Sequence, residues 1–308
     1  MKRILVPLDG SDFAESALSP AVALAIRHGA RIHLLSVVST RPPIPISFAD
    51  EVLIRGWVGK ERARLREYLG QAAARVAARS ADLRIEARVS VGRVGETVRE
   101  VAEKLDTQLV VLTTHGRGRF GRAWLGSTAD ELVRSLERPL LVLPATASAE
   151  KAFVEDRVGH VMVPLDGSEA AESVLDVLPL VLPAPGGMRL TLVSVVEEGS
   201  SFPAVYLPHA VSEESFRDER RRSAEAYLAA ASERVANAGA GVPETCVLTA
   251  HDAAHGLLRF CSENEVDVIA LSTHGRGGFS RLRVGSVADK LIRGAGIPVL
   301  VTRRPSDA

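Results

Sequence analysis

"VVLTTHGRGRFGRAWLGSTADELV", residues 110–133, and "VIALSTHGRGGFSRLRVGSVADKLI", residues 268–292, are near copies of each other. Each starts as a short apolar run, passes through a loop of glycine and arginine, and ends in Gly-Ser before a helical pattern. A buried strand, a glycine-rich turn and a helix start follow one another, which is the connection of an α/β unit. The start of the chain is also repeated: "ILVPLDGSDFAESAL" at 4–18 matches "VMVPLDGSEAAESVL" at 161–175. Val6 to Val163 is an offset of 157 and Gly126 to Gly285 one of 159, so a whole domain has been duplicated.

Working outward in the first copy, the patterning predicts strands over Arg3–Leu8, Arg31–Val38, Ile85–Val91, Leu109–Thr113 and Leu140–Leu143. Helices are predicted after the first strand, with Ser11 or Asp12 as cap, and over Ala49–Ala78, Glu96–Lys104 and Ser127–Leu136. Gly56, Gly59 and Gly70 weaken the long helix. The second half is expected to follow the same order. Alternation of this kind implies a parallel sheet with right-handed crossovers. The expectation is two tandem doubly wound α/β domains, 1–147 and 157–308. Each has a five-stranded parallel sheet in the order 3-2-1-4-5, with helices on both faces. Strands 1 and 4 then flank the switch point where ligands bind. "PLDGS" and "THGRG…GS" follow those two strands.

The bulk numbers narrow the function. Lys+Arg and Asp+Glu both count 38, which gives no reason to expect nucleic acid or an anionic membrane as partner. No segment approaches the ~20 apolar residues of a membrane span. The run after "MKR" stops at Pro7 and Asp9, too short for a signal peptide. Two cysteines, Cys246 and Cys261, make no disulfide framework. A soluble cytoplasmic protein is expected.

The glycine loop reads as a phosphate cradle. Gly116, Gly118 and Gly126 allow close backbone approach, and the helix start offers free N–H groups to an anion. Ser127 is placed to cap the helix or meet a phosphate, and Arg117, Arg119 and Arg122 add cationic donors. Gly275, Gly277, Gly285, Ser286, Arg276 and Arg281 repeat the set. The alternative is a connecting loop with a solvated basic face. "GRGRFG" at 116–121 fits a dinucleotide fingerprint but follows the fourth strand, and Ser280 replaces its last glycine in the second copy. "GRGRFGRA" lacks the lysine and Ser/Thr of a P-loop.

At these residues the sequence resembles the universal stress protein family in its tandem form. The family's ATP-binding members carry G-2x-G-9x-G-[S/T]. Gly116 and Gly126-Ser127 fit its last two parts, as do Gly275 and Gly285-Ser286. The resemblance implies ATP, with or without magnesium, bound between the loops after strands 1 and 4. It also implies that Asp9 and Asp166 lie on the ribose or adenine side, that Pro7 and Pro164 shape that wall, and that Val37 and Val195 touch the adenine. The glycines and serines would hold the phosphates. Thr113 and Ser272 stand where the motif has its first glycine, adding side chains to the cleft floor. The glycine common after strand 3 is Gly92 in the first half and Ala250 in the second. The family also implies pairing of the last strands, as a homodimer or between the two halves of one chain.

Other residues have plainer readings. Asp9 could simply satisfy the turn before the first helix, and its repetition at Asp166 suits either view, with ligand contact slightly favoured. His115 and His274 in "THGRG" suit loop packing better than proton transfer. His251 and His255 have zinc-like spacing but no third ligand in view. The arginine-rich run at 217–235 carries both signs and reads as a solvated helix face. A stress-response sensor or scaffold is the reading favoured. A slow ATP-hydrolysing or nucleotidyl-transferring enzyme, or a nucleotide-free dimerising module, are the alternatives.

Overall fold

A computed structural model of the chain describes residues 1–39, 51–80, 82–114, 125–144, 153, 158–180, 188–198, 213–238, 241–273 and 284–303. It divides into two units, Met1–Arg157 and Val158–Ala308.

In the first unit β1 (Arg3–Pro7) leads into α1 (Asp12–Glu15) and α2 (Leu18–His28). Then come β2 (Arg31–Ser39), α3 (Glu51–Ala77), β3 (Ile85–Gly92), α4 (Val94–Lys104), β4 (Leu109–Thr113), α5 (Ser127–Ser135) and β5 (Leu140–Leu143). The sheet order is β3-β2-β1-β4-β5 and the strand pairs are parallel. Right-handed crossovers put α2 and α3 on one face and α4 and α5 on the other. Strands β1 and β4 are therefore neighbours where the winding reverses. The central strands are buried apolar runs: Ile4, Leu5, Val6, Leu109, Val110 and Val111 are wholly inaccessible. Covering both faces requires that composition, and each such side chain stabilises the unit by ~1.5–3 kcal/mol.

The long helix α3 is continuous in spite of its glycines. Leu65, Leu69, Ala72 and Val76 are buried at helical spacing. That stripe packs on β2 and β3 and outweighs the weak local propensity.

The second unit has β6 (His160–Pro164), α6 (Glu169–Glu172), a 3-10 stretch (Leu175–Leu180), β7 (Arg189–Glu197), α7 (Glu213–Asn237), β8 (Glu244–Ala250), α8 (Ala253–Glu263), β9 (Val268–Ser272), α9 (Ser286–Gly294) and β10 (Val299–Thr302). Its parallel order, β10-β9-β6-β7-β8, is that of the first unit read from the other edge. One departure from the expected repetition is the 3-10 stretch in the place of α2. Pro20 falls in the first turn of α2, where its missing N–H is one of the unbonded ones anyway. Pro179 falls five residues into its segment, where an α-helix needs that N–H.

Candidate functional site

The two repeated motifs meet at the switch point in each unit. Beyond β1, the Asp9 carboxylate accepts from the Ser11 amide at 2.9 Å and the Ser11 hydroxyl at 2.6 Å. The Ser11 hydroxyl accepts from the Ala14 amide at 3.2 Å, which makes Ser11 the cap of α1. Gly10, at φ 82°, takes the left-handed turn between them. Asp166, Gly167 and Ser168 repeat this, with bonds of 3.0 and 2.6 Å to Asp166, 3.1 Å to Ser168, and φ 84° at Gly167. One oxygen of each aspartate, Asp9 and Asp166, thus braces a turn. Leu5 is level with Val110 and Met162 with Ile269, so straight continuation brings Asp9 level with Thr114 and Asp166 with Thr273.

The adjacent strand supplies the other wall. The Thr114 carbonyl accepts the Gly126 amide at 2.6 Å, and the Thr273 carbonyl accepts the Gly285 amide at 2.9 Å. Each glycine loop thus leaves and returns through one backbone bond. The structure corrects the capping expectation: Gly126 and Gly285 are the caps, with no side-chain cap bond, and Ser127 and Ser286 are the first helical residues. The first turns of α5 and α9 carry N–H groups that the helix itself does not bond.

Pro7 and Pro164 are half-buried at the ends of β1 and β6, and Val37 and Val195 are half-buried near the ends of β2 and β7. The Ser36 hydroxyl donates to the Leu8 carbonyl at 2.7 Å, fixing β2 against the exit of β1. Thr113 is buried at the end of β4, and Ser272 half-buried at the end of β9. Gly116, Gly118, Gly275 and Gly277, with His115, His274 and the loop arginines, lie outside the described residues.

A repeated constellation escaped the sequence reading. Arg75 on α3 pairs with Glu15 on α1 at 2.8 Å, and Arg234 on α7 pairs with Glu172 on α6 at 2.8 Å. Burial first, then the Glu15 carboxylate, with Asp9 further off, push the Tyr68 phenol's pKa up. Burial and Glu172, with Asp166 beyond, do the same to Tyr227. Each long helix is thereby tied to the turn that carries the aspartate. Recurrence of Glu, Tyr and Arg in both halves was the signal available.

His251 and His255 do not share a helix face, because α8 begins between them. His251 lies 3.0 Å from Glu198, and the His255 amide donates to Asp252 at 2.9 Å. No cluster of three metal-ligating side chains occurs among the described residues. Cys261 is buried with its sulfur 3.7 Å from that of Met162, and burial pushes its thiol up to about 12. On α7, Arg221 pairs with Glu225 at 3.0 Å and Arg222 with Glu219 at 3.6 Å, a solvated face. No helix among the described residues is long and apolar enough to cross a membrane.

Comparison with known proteins agrees with this architecture. The universal stress protein family model matches residues 1–144 and again 158–303. A universal stress protein of Synechocystis sp. is 25% identical over 318 residues, covering 98% of this chain and 100% of that one. One from Mycolicibacterium smegmatis is 25% identical over 304 residues, covering 97% and 96%. The crystal structure of a universal stress protein from Archaeoglobus fulgidus has a TM-score of 0.68 at 19% identity, covering 99% of this chain and 97% of that one. At that identity the likeness is one of fold.

Proposed function

The chain belongs to the universal stress protein family, and from that premise we propose that each half is an adenine-nucleotide cradle of a cytoplasmic stress-response sensor or scaffold. One observation carries the reading. In both halves a carbonyl-to-amide bond joins the end of the fourth strand to a helix start whose glycine cap offers no side-chain bond, and that strand lies next to the one that leads into the aspartate turn. A helix start favours an anion through its dipole and its N-terminal N–H groups. Ser127 and Ser286 would meet the phosphates. Pro7, Val37, Pro164 and Val195 would line the base and ribose side. ATP would supply the triphosphate, with magnesium as counter-ion. Bound nucleotide would bias the loops toward one ordered arrangement, and with it one surface or assembly.

The test is the nucleotide released on denaturing freshly purified protein, followed by titration with ATP. Two adenine nucleotides per chain are expected. Ser127→Asp, which sets a carboxylate against the phosphates, should reduce this to one, and Ser286→Asp should remove the other. No saturable binding at about millimolar ATP would end the reading. It would favour a nucleotide-free module that assembles with a second copy. The feature that favours that second reading is Thr113 and Ser272 at the cleft floor, where the motif has glycine.

A further inference from the structure

Two strands from β1, the outer edge of the first unit carries a cleft of about 540 Å³. Among the described residues β3 is the last strand on that side and pairs only with β2. Helices α3 and α4, on opposite faces of the sheet, flank it, and the cleft runs between them along the free edge of β3. Arg62 and Arg66 reach it from α3, Arg88 from β3 itself and Lys104 from α4; Glu100 is the single carboxylate in the lining. All five are exposed, and none has a hydrogen bond or ion pair among the described residues. Val91, at the end of the strand, is 42% exposed.

The duplicated half provides an internal control. The residues at the positions of Arg62 and Arg66 are Arg221 and Glu225, which pair with each other at 3.0 Å. Those at the positions of Glu100 and Lys104 are Arg259 and Glu263, 3.5 Å apart. Cys246 replaces Arg88 in the register of strands: Arg88 is level with Leu35, and Cys246 with Val193. One edge has four cations against one carboxylate, and the other has two matched pairs. Charge on an edge strand is a common guard against edge-to-edge association, but that need is the same on both edges and does not account for the difference.

We propose that the free edge of β3 is a docking site for an acidic, extended polypeptide segment, which adds as a further strand and sets its carboxylates against Arg62, Arg66, Arg88 and Lys104. Backbone hydrogen bonds to a free edge give such additions their affinity, and the flanking side chains select the sequence. The site is independent of the nucleotide cradles.

A labelled peptide alternating glutamate and threonine, titrated into the full chain by fluorescence anisotropy, tests this. Saturable binding is expected, weakened about tenfold or more by raising salt from about 50 to about 300 mM. Arg66→Glu with Lys104→Glu, which installs the second half's residues at exposed positions, should abolish it and leave ATP binding unchanged. Hydrogen exchange with peptide bound should slow across β3 and not across β8. Absence of binding at about millimolar peptide, or binding unaffected by the double substitution, would overturn the proposal. So would full competition by inorganic triphosphate with no slowing in β3, which would make the cleft a patch for small anions.

Discussion

The two halves share a fold but close the junction between the third strand and the following helix in opposite ways. In the first, the strand ends in Gly92 and α4 presents Thr97; a Cβ on Gly92 would lie 2.5 Å from the Thr97 hydroxyl. In the second, the strand ends in Ala250 and α8 presents Gly256; a Cβ on Gly256 would lie 2.9 Å from that of Ala250. Each junction has room for one side chain. The glycine has changed sides, so Ala250 reflects an exchange with its neighbour more than a lost family feature. The helix starts differ too. Asp252 caps α8, accepting from the His255 amide and holding Lys290 at 2.6 Å, whereas α4 has Arg93 there and no side-chain cap. Equivalent backbones thus tolerate different residues provided each local contact is completed within its own half.

The sharpest way to break this comparison is to fill both sides of one junction. Gly256→Thr leaves Ala250 in place and gives α8 the residue that α4 carries. It should destabilise the second unit by about 1–3 kcal/mol, the usual cost of overpacking. Ala250→Gly in the same chain should recover most of that loss. Denaturant unfolding of the four proteins reads the coupling. Equal losses from Gly256→Thr in both backgrounds would mean the two residues do not share the space.

A smaller effect is expected on the long helices. Gly70 of α3 corresponds to Ala229 of α7, with Leu69 and Leu228 buried beside them. A Cβ on Gly70 meets nothing within 4 Å. Gly70→Ala should therefore stabilise the first unit by up to about 1 kcal/mol, the difference in helix propensity. A loss of stability would show that the glycine answers to a contact outside helix propensity.

Much of this was legible in the chain itself. The patterning gave every strand of the first half to within a residue, most plainly the central ones, because a strand buried on both faces has little choice of composition. Duplication followed from the repeated motifs, whose places after strands 1 and 4 agreed with the strand order posed for each half. What escaped were contacts between residues distant in sequence. Glu15 and Arg75 meet only because α3 folds back over α1, and no spacing rule reports that. Gly256 as counterpart of Ala250 is a steric fact between a strand and a helix. The basic edge was hidden by the equal totals of charge, since 38 of each sign sum to nothing while the cations collect along one cleft. The bonds from Ser11 to Asp9 were not legible either, because a turn-bracing aspartate and a ligand-facing one look alike in sequence.

The smallest expected effect concerns two buried histidines that do not correspond. His33 on β2 lies 3.4 Å from Glu86, and burial lowers its pKa from 6.5, with Glu86 opposing and Arg31 assisting. His160 on β6 is also lowered from 6.5, by burial first and by the Arg189 charge, against the Asn264 carbonyl. His160 Nδ1 lies 2.9 Å from the Asn264 carbonyl and 2.7 Å from the Arg189 guanidinium, which itself donates to that carbonyl at 2.7 Å, and Nε2 lies 2.8 Å from the Thr191 hydroxyl. Both rings are neutral in the fold and bind a proton more readily once unfolded. Their contribution is fully present above the unfolded value of 6.5 and is lost as pH falls through the depressed folded values. Both halves should therefore weaken on acidification below that point, although the histidines occupy different strands. His33→Gln should flatten the acid limb of the first unit only, and His160→Gln that of the second, in denaturant unfolding followed against pH. An acid limb unchanged in both variants would mean that carboxylates elsewhere set it.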